Sequence, residues 1–251
     1  MEPSSSEKVA GRSGFFSTSL LAALVGVLIL IPVSARAASY CRLTAQQKAV
    51  DLSTPVSDNF LRKMKAIGVE TIIRYFDYPD ETIKGKTLTP RERRKIAAGG
   101  FDLLVVFQHH NNRFSSFTTQ RGHDDAVRSM ALAQANNQPS GSAVYFGVDG
   151  EWGTDPSELA AIVRYFTAAH KVLEAASFRL GVYGSGLVCR QLTERSLVDL
   201  CWLANATSWP EFRPAQQSGK WALLQTLPED CGGINVDFDV IGKNSDYGQF
   251  H

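Results

Sequence analysis

The chain has 251 residues, 26 of them Lys or Arg against 25 Asp or Glu, and 44% are hydrophobic. That length suits one or two domains, and α/β barrels routinely use it for one. With charge so nearly balanced there is no sequence-wide attraction to nucleic acid or to an acidic membrane surface, so neither is expected as a partner.

The first 37 residues read as a secretory signal. Lys8 and Arg12 form a basic lead, an apolar run extends from Leu20 to Ile31, and Pro32 leads to Ala35-Arg36-Ala37. Basic, apolar and small-x-small in that order predict export with cleavage after Ala37. The apolar run falls short of the roughly 20 residues that span a bilayer as a helix, so no stable membrane span is expected after processing. No Arg-Arg pair precedes it, which argues against twin-arginine export. Tyr40 beside Cys41 argues against a lipid anchor at that cysteine. Residues 38–251 carry equal numbers of basic and acidic side chains and are expected to form one domain, periplasmic or extracellular and monomeric.

All four cysteines, Cys41, Cys189, Cys201 and Cys231, follow the signal. An even count in an exported chain predicts disulfides in one of three connectivities, with buried free thiols as the alternative. No CxxC pair is present, so a zinc site is not expected, and nothing else implies a metal or cofactor. Cys189 and Cys201 are the nearest pair in sequence. Cys41 and Cys231 flank the first and last predicted strands, which become neighbours if a barrel closes, and this favours joining them.

Short β-branched and aromatic runs alternate with longer amphipathic stretches, the pattern of βα units and a parallel sheet. Strands are predicted near 49–52 and 71–76. Thr89-Pro90-Arg91-Glu92 then reads as a capping box with Pro at the first helical position, and Gly99-Gly100 closes that helix. A strand at 103–107 precedes a helix over 124–135. After a strand at 143–148, Asp155-Pro156-Ser157-Glu158 opens a helix whose Leu159, Ile162, Val163, Phe166 and Leu173 share a face. Strands near 179–183, 201–204, 221–225 and 235–240 complete the set, with connections short enough that some helices of the second half are reduced or missing. Eight strands in this arrangement predict a (β/α)8 TIM-type barrel. A doubly wound open sheet is the runner-up, but such a sheet advertises a glycine-rich turn after its first strand. Asp51-Leu52-Ser53-Thr54-Pro55 contains no glycine.

A barrel of this kind does its chemistry where the strands end. Asp51 ends the first strand and Asp77 the second; Gln108, His109 and His110 follow the third, and Asp149 and Glu151 the fourth. Tyr183 and Ser185 follow the fifth, Asn205 the sixth and Gln225 the seventh, while Asp237 and Asp239 lie on the eighth. Packing alone does not require so many carboxylates and amides there. They suit a site that holds hydroxylated ligands by hydrogen bonds.

Within that set, Asp149-Gly150-Glu151 is the sharpest feature. On an extended strand, residues two apart point the same way at roughly 6.6 Å between Cα atoms, so both carboxylates are expected in one cavity. Two such neighbours cannot ionise independently, and the one that keeps its proton can protonate a glycosidic oxygen. Trp152 and Trp209 are candidates to stack on sugar faces, with packing as the alternative. His109, His110 and His123 match no common metal-ligand spacing. Tyr183-Gly184-Ser185-Gly186 is not a nucleophile elbow, since no glycine stands two residues before Ser185.

Over roughly residues 47–242 the chain resembles the glycoside-hydrolase-like domain that is a relative of the family 25 lysozymes. The resemblance rests on Ala49-Val50-Asp51-Leu52-Ser53, Phe146-Gly147-Val148-Asp149-Gly150-Glu151, Leu180-Gly181-Val182-Tyr183-Gly184-Ser185 and Trp202-Leu203-Ala204. It ends with Trp221-Ala222-Leu223-Leu224-Gln225 and Asn235-Val236-Asp237-Phe238-Asp239, while Thr54-Pro55-Val56 replaces the Gly and Trp signals usual in the lysozymes. The resemblance implies Glu151 as general acid, Asp149 as the assisting carboxylate that orients a substrate acetamido group, and Asp51 and Asp237 as supporting acids. Asp77, Gln108, Trp152, Tyr183, Asn205, Gln225 and Asp239 are the expected substrate-binding set. Three functions follow: an exported hydrolase of an N-acetylated, peptidoglycan-like polysaccharide, a carbohydrate-binding module without turnover, and an envelope scaffold. The gathered acids argue against the scaffold.

Overall fold

The computed structural model describes residues 40–251; the expected signal segment and its expected cleavage point lie outside the described residues. Eight strands close into one barrel in sequence order: β1 (Gln47–Asp51), β2 (Thr71–Phe76), β3 (Asp102–Phe107), β4 (Ala143–Gly147), β5 (Arg179–Gly184), β6 (Leu200–Leu203), β7 (Leu223–Asp230) and β8 (Asn235–Ile241). Six helices lie between them: α1 (Asp58–Ile67), α2 (Pro90–Ala98), α3 (Thr119–Ala135), α4 (Pro156–Ala175), α5 (Gly186–Glu194) and α6 (Phe212–Ser218). The expected α/β barrel is present, with no helix between β7 and β8.

One strand departs from the parallel sheet expected above. β1 to β7 pair in parallel, whereas β8 runs antiparallel to both β7 and β1. The cause is connection length. Only residues 231–234 join β7 to β8, and a parallel crossover needs a dozen or more. The reversal puts the beginning of β8, not its end, at the functional mouth, and sets Asp237 opposite Asp51 and Asp239 opposite Ala49.

The helix signals hold with one change of partner. Thr89 caps α2 by accepting from the Glu92 amide, and Asp155 caps α4 ahead of Pro156. Glu92, however, does not reach back to its cap. Its carboxylate takes the Arg74 Nε at 2.8 Å and the Val56 amide at 2.9 Å in the core. α3 starts five residues earlier than expected because the Thr118 hydroxyl accepts from the Arg121 amide.

Strand residues alternate between two cores. Val50, Ile72, Val105, Phe107, Val144, Phe146, Val182 and Phe238 face the helices, while Ala49, Ile73, Leu104, Val106, Tyr145, Trp202 and Leu223 fill the lumen. Gly181 faces the lumen too; a Cβ there would stand 2.5 Å from the Tyr145 ring, so glycine makes room for that side chain. The C-terminal segment seals the end of the barrel away from the site. Tyr145 donates to the Tyr247 carbonyl at 2.9 Å, and the Leu103 amide to that of Phe250 at 2.7 Å. Disulfides join Cys41 to Cys231 and Cys189 to Cys201, the first being the pairing that barrel closure favours.

Candidate active site

Following the lumen side of each strand toward its mouth gives the site. Ile73 leads to Tyr75, Val106 to Gln108, Gly181 to Tyr183 and Leu223 to Gln225, in the two-residue period of a strand, and Asp149 joins them from the loop two residues beyond the end of β4. Tyr75, Val106, Gln108, Asp149, Tyr183, Trp202, Gln225 and Asp237 line a cavity of about 170 Å³. At about 30 Å³ per water that is space for some five waters, or for one sugar substituent such as an acetamido arm.

Hydrogen bonds tie the lining together. Gln108 Nε2 donates to Asp149 Oδ2 at 3.0 Å, and the Tyr183 hydroxyl to Gln225 Oε1 at 2.9 Å. Gln225 Nε2 and the Tyr75 hydroxyl both donate to Asp51, at 3.3 and 2.8 Å. Asp51 therefore forms the floor, held by two residues that line the cavity. Deeper still, Asp239 is fully buried; its Oδ1 accepts from Trp202 Nε1 at 2.8 Å, and its Oδ2 has no protein partner.

The electrostatics follow from burying several carboxyls together, with Lys86 the cation that acts on Asp149. Burial pushes Asp51 up to about 7, with the Asp237 charge adding and the Tyr75 and Gln225 bonds opposing. Burial raises Asp237 to about 6 as well, and with Asp237 opposite Asp51 across β1 and β8 the two carboxyls titrate together as a pair. Asp239 is pushed far above the carboxylate range, chiefly by burial and then by the Asp51 charge. Burial also raises Asp149, against the Gln108 hydrogen bond and the Lys86 charge.

These raised groups set a sign for stability. The folded form holds protons that an unfolded Asp, at about 3.9, releases, so stability falls as pH rises from about 4 to about 7. At about 1.4 kcal/mol per pH unit, Asp51 alone contributes on the order of a few kcal/mol. Thermal melts should give a higher Tm at pH 5 than at pH 7.5, and Asp51→Asn should flatten that slope. A wild-type Tm that climbs across this window would contradict the arrangement.

Not every expected residue joins the site. Asp149 and Asp237 line the cavity and Asp51 floors it, but Glu151 is exposed and outside the lining. The two-residue period that placed it beside Asp149 ends with β4 at Gly147. Beyond it the Asp149 amide bonds to the Asn111 carbonyl at 3.1 Å, and Trp152 folds onto the helix-side core against Phe114, ring centres 5.7 Å apart. Glu151, between these anchors, faces solvent. Trp152 thus packs rather than lining the cavity, and Asn205 and Trp209 are half-buried away from it.

Asp77 also departs from expectation. It is fully buried, and it accepts from Tyr78 N, Thr82 N and Thr82 Oγ1 and pairs with His109 Nδ1 at 2.5 Å. No acceptor is left for a ligand. Of the other histidines, His123 pairs with Asp124 and His110 is exposed. Tyr75, Val106 and Trp202 were missed as site residues, although the alternation through Ile73 and Leu104 marks the first two as facing the lumen.

A family model described as Rv2525c-like, glycoside hydrolase-like domain matches residues 62–240. The chain belongs to that family. It is 25% identical over 211 residues to the Bacillus subtilis protein YbfG, covering 78% of this chain. The match spans less than a third of that relative, 29% of its length. Among solved structures, the Mycobacterium tuberculosis Tat-secreted protein Rv2525c, crystallised with HEPES, superposes with a TM-score of 0.65 at 20% identity, over 82% of this chain and 99% of that one. The modular autolysin LytC of Streptococcus pneumoniae, crystallised with a synthetic peptidoglycan ligand, superposes at 0.50 and 16% identity, over 77% and 46%. At such identities the likeness is one of fold, and this family member shares the glycoside-hydrolase-like barrel with both.

Proposed function

We propose that the chain is an exported, monomeric glycoside hydrolase acting on an N-acetylated cell-wall or extracellular polysaccharide. The observation that supports this reading most is the ring of Asp149, Gln108, Tyr183, Gln225, Tyr75 and Asp237 around a cavity of sugar-substituent size. Alternating amide, hydroxyl and carboxyl groups match the donors and acceptors of a sugar and its acetamido arm. The peptidoglycan ligand in the LytC crystal structure supports the same substrate class.

In this reading the scissile bond lies over the mouth. Asp149 accepts the acetamido N–H, so that the acetamido oxygen attacks the anomeric carbon as the leaving oxygen takes a proton from Glu151. Water then opens the cyclic intermediate and returns a proton to Glu151. Glu151 is exposed in the free protein, and a sugar bound over the mouth would cover it. Catalytic contacts often tighten only in the substrate complex. The test is incubation of the purified protein with peptidoglycan and a panel of N-acetylated glycans, scored by new reducing ends.

One observation favours a second reading. Glu151 makes no side-chain hydrogen bond or ion pair among the described residues, as a binding module that needs no acid would allow. Glycan binding without new reducing ends would select it.

Export rests on the leader, on the two disulfides, which fit an oxidising compartment, and on the secretion of Rv2525c. Among the described residues no helix is long and apolar enough to cross a membrane. The secreted protein should begin at Ala38 by N-terminal sequencing; a mature protein retaining Leu20 overturns the cleavage.

A further inference from the structure

Just outside the cavity, in the β2–α2 connection, lies a lysine that is only 4% exposed, Lys86. Its Nζ donates to the Gln108 carbonyl at 2.9 Å, to Gln108 Oε1 at 3.2 Å and to Thr82 Oγ1 at 3.2 Å. It stands 4.0 Å from Asp77 Oδ2 and 4.7 Å above the centre of the Tyr75 ring. All three ammonium protons are used, and each has one acceptor.

The arrangement orients the amide next to it. An ammonium can only donate, so Gln108 must turn Oε1 toward Lys86, and its Nε2 then faces Asp149 Oδ2 at 3.0 Å. Turned the other way, the amide would present two donors to Lys86 and an acceptor to a carboxylate. We propose that Lys86 is a positioning residue for Asp149: it fixes the Gln108 amide as a donor to that carboxyl and, by its charge, favours the ionised form that accepts from a substrate acetamido N–H. Only the kinetic consequence of this rests on the glycan reading above; the orientation and charge effects are properties of the free protein.

The surrounding charges are consistent with this role. Burial lowers the Lys86 pKa, Arg74 adds to the lowering, and Asp77, Asp149 and Glu81 oppose it. Around Asp149, Gln108 and Lys86 oppose the effect of burial, Tyr183 faces it across the cavity, and Glu151 follows two residues along the chain. Without Lys86, Asp77 keeps its hydrogen bonds from His109, Tyr78 and Thr82 but loses the ammonium 4.0 Å away, a loss that Lys86→Met carries and Lys86→Arg does not.

Following the Asp149 side-chain carboxyl by ¹³C NMR against pH tests the proposal without any substrate. Lys86→Met, which keeps the stem and removes the charge, should move the Asp149 midpoint upward, because a cation that favours the ionised carboxyl is lost and the Gln108 amide is freed to turn. Lys86→Arg should restore most of the wild-type midpoint. Where a glycan is cleaved, the acid limb of the rate profile should move with the midpoint while KM changes little. An unchanged midpoint in folded Lys86→Met overturns the proposal. Should that variant fail to fold, Gln108→Leu keeps the lysine and breaks the relay, and an unchanged midpoint there overturns it equally. A shifted midpoint in a protein that cleaves no glycan supports the positioning role and counts against the hydrolase reading alone.

Discussion

Glu151→Gln should reduce glycan turnover by about 10²–10⁴-fold, the usual contribution of a general acid, while leaving the melting temperature unchanged. The first part follows from the proposed mechanism: glutamine keeps the shape and one hydrogen bond but delivers no proton. The second follows from geometry, since Glu151 is exposed and makes no side-chain hydrogen bond among the described residues. Asp149→Asn should also slow turnover, and here the Tm should hold or rise, because burial disfavours the charge that asparagine removes. The double variant should lose less than the two effects combined, since residues that act on one transition state are not additive. Initial rates of reducing-end release, with melts of the same preparations, check both halves. Full turnover in Glu151→Gln would remove it as the proton donor and leave Asp149, the carboxyl that is held inside the cavity.

Glu92→Ala should destabilise the barrel by about 3–5 kcal/mol, the scale for removing one partner of a buried ion pair. Arg74 is fully buried on β2, and its guanidinium also donates to the Leu52 and Gly85 carbonyls. Without Glu92 it keeps those bonds but has lost its counter-charge, and the Val56 amide has lost its acceptor. For a chain of this size the loss corresponds to a fall in Tm on the order of 10 °C. The Arg74→Met, Glu92→Leu double variant should recover much of the loss, because it buries no unpaired charge. A loss under about 1 kcal/mol in Glu92→Ala would mean that water reaches Arg74.

Both predictions concern residues whose sequence signal was read differently. Thr89-x-x-Glu92 reads as a capping box, and Thr89 does cap α2. Nothing local to the helix shows that Arg74, eighteen positions earlier on a strand, claims the glutamate. Asp149-x-Glu151 likewise reads as one pair on one face, and that inference is sound only while the chain remains extended.

The amino-acid sequence by itself determined the eight strands, the capped helices and the barrel class, because periodicity and caps are local and need no partner. It favoured the Cys41–Cys231 link among three connectivities on the expectation of barrel closure, and the structure joins that pair. The direction of β8 was within its reach as well, since so short a connection cannot cross over in parallel. Only the tertiary structure decided which strand-end residues converge. Asp51, Asp149 and Asp237 come together because lumen parity and the register of β1 with β8 bring them to one mouth. Glu151 turns outward because the strand stops and the core takes Trp152 instead. Asp77 and Lys86 bind within the protein, one to His109 and the other to Gln108. Such choices depend on contacts between residues tens of positions apart, where a side chain's direction is set by what packs against it and not by its neighbours in the chain.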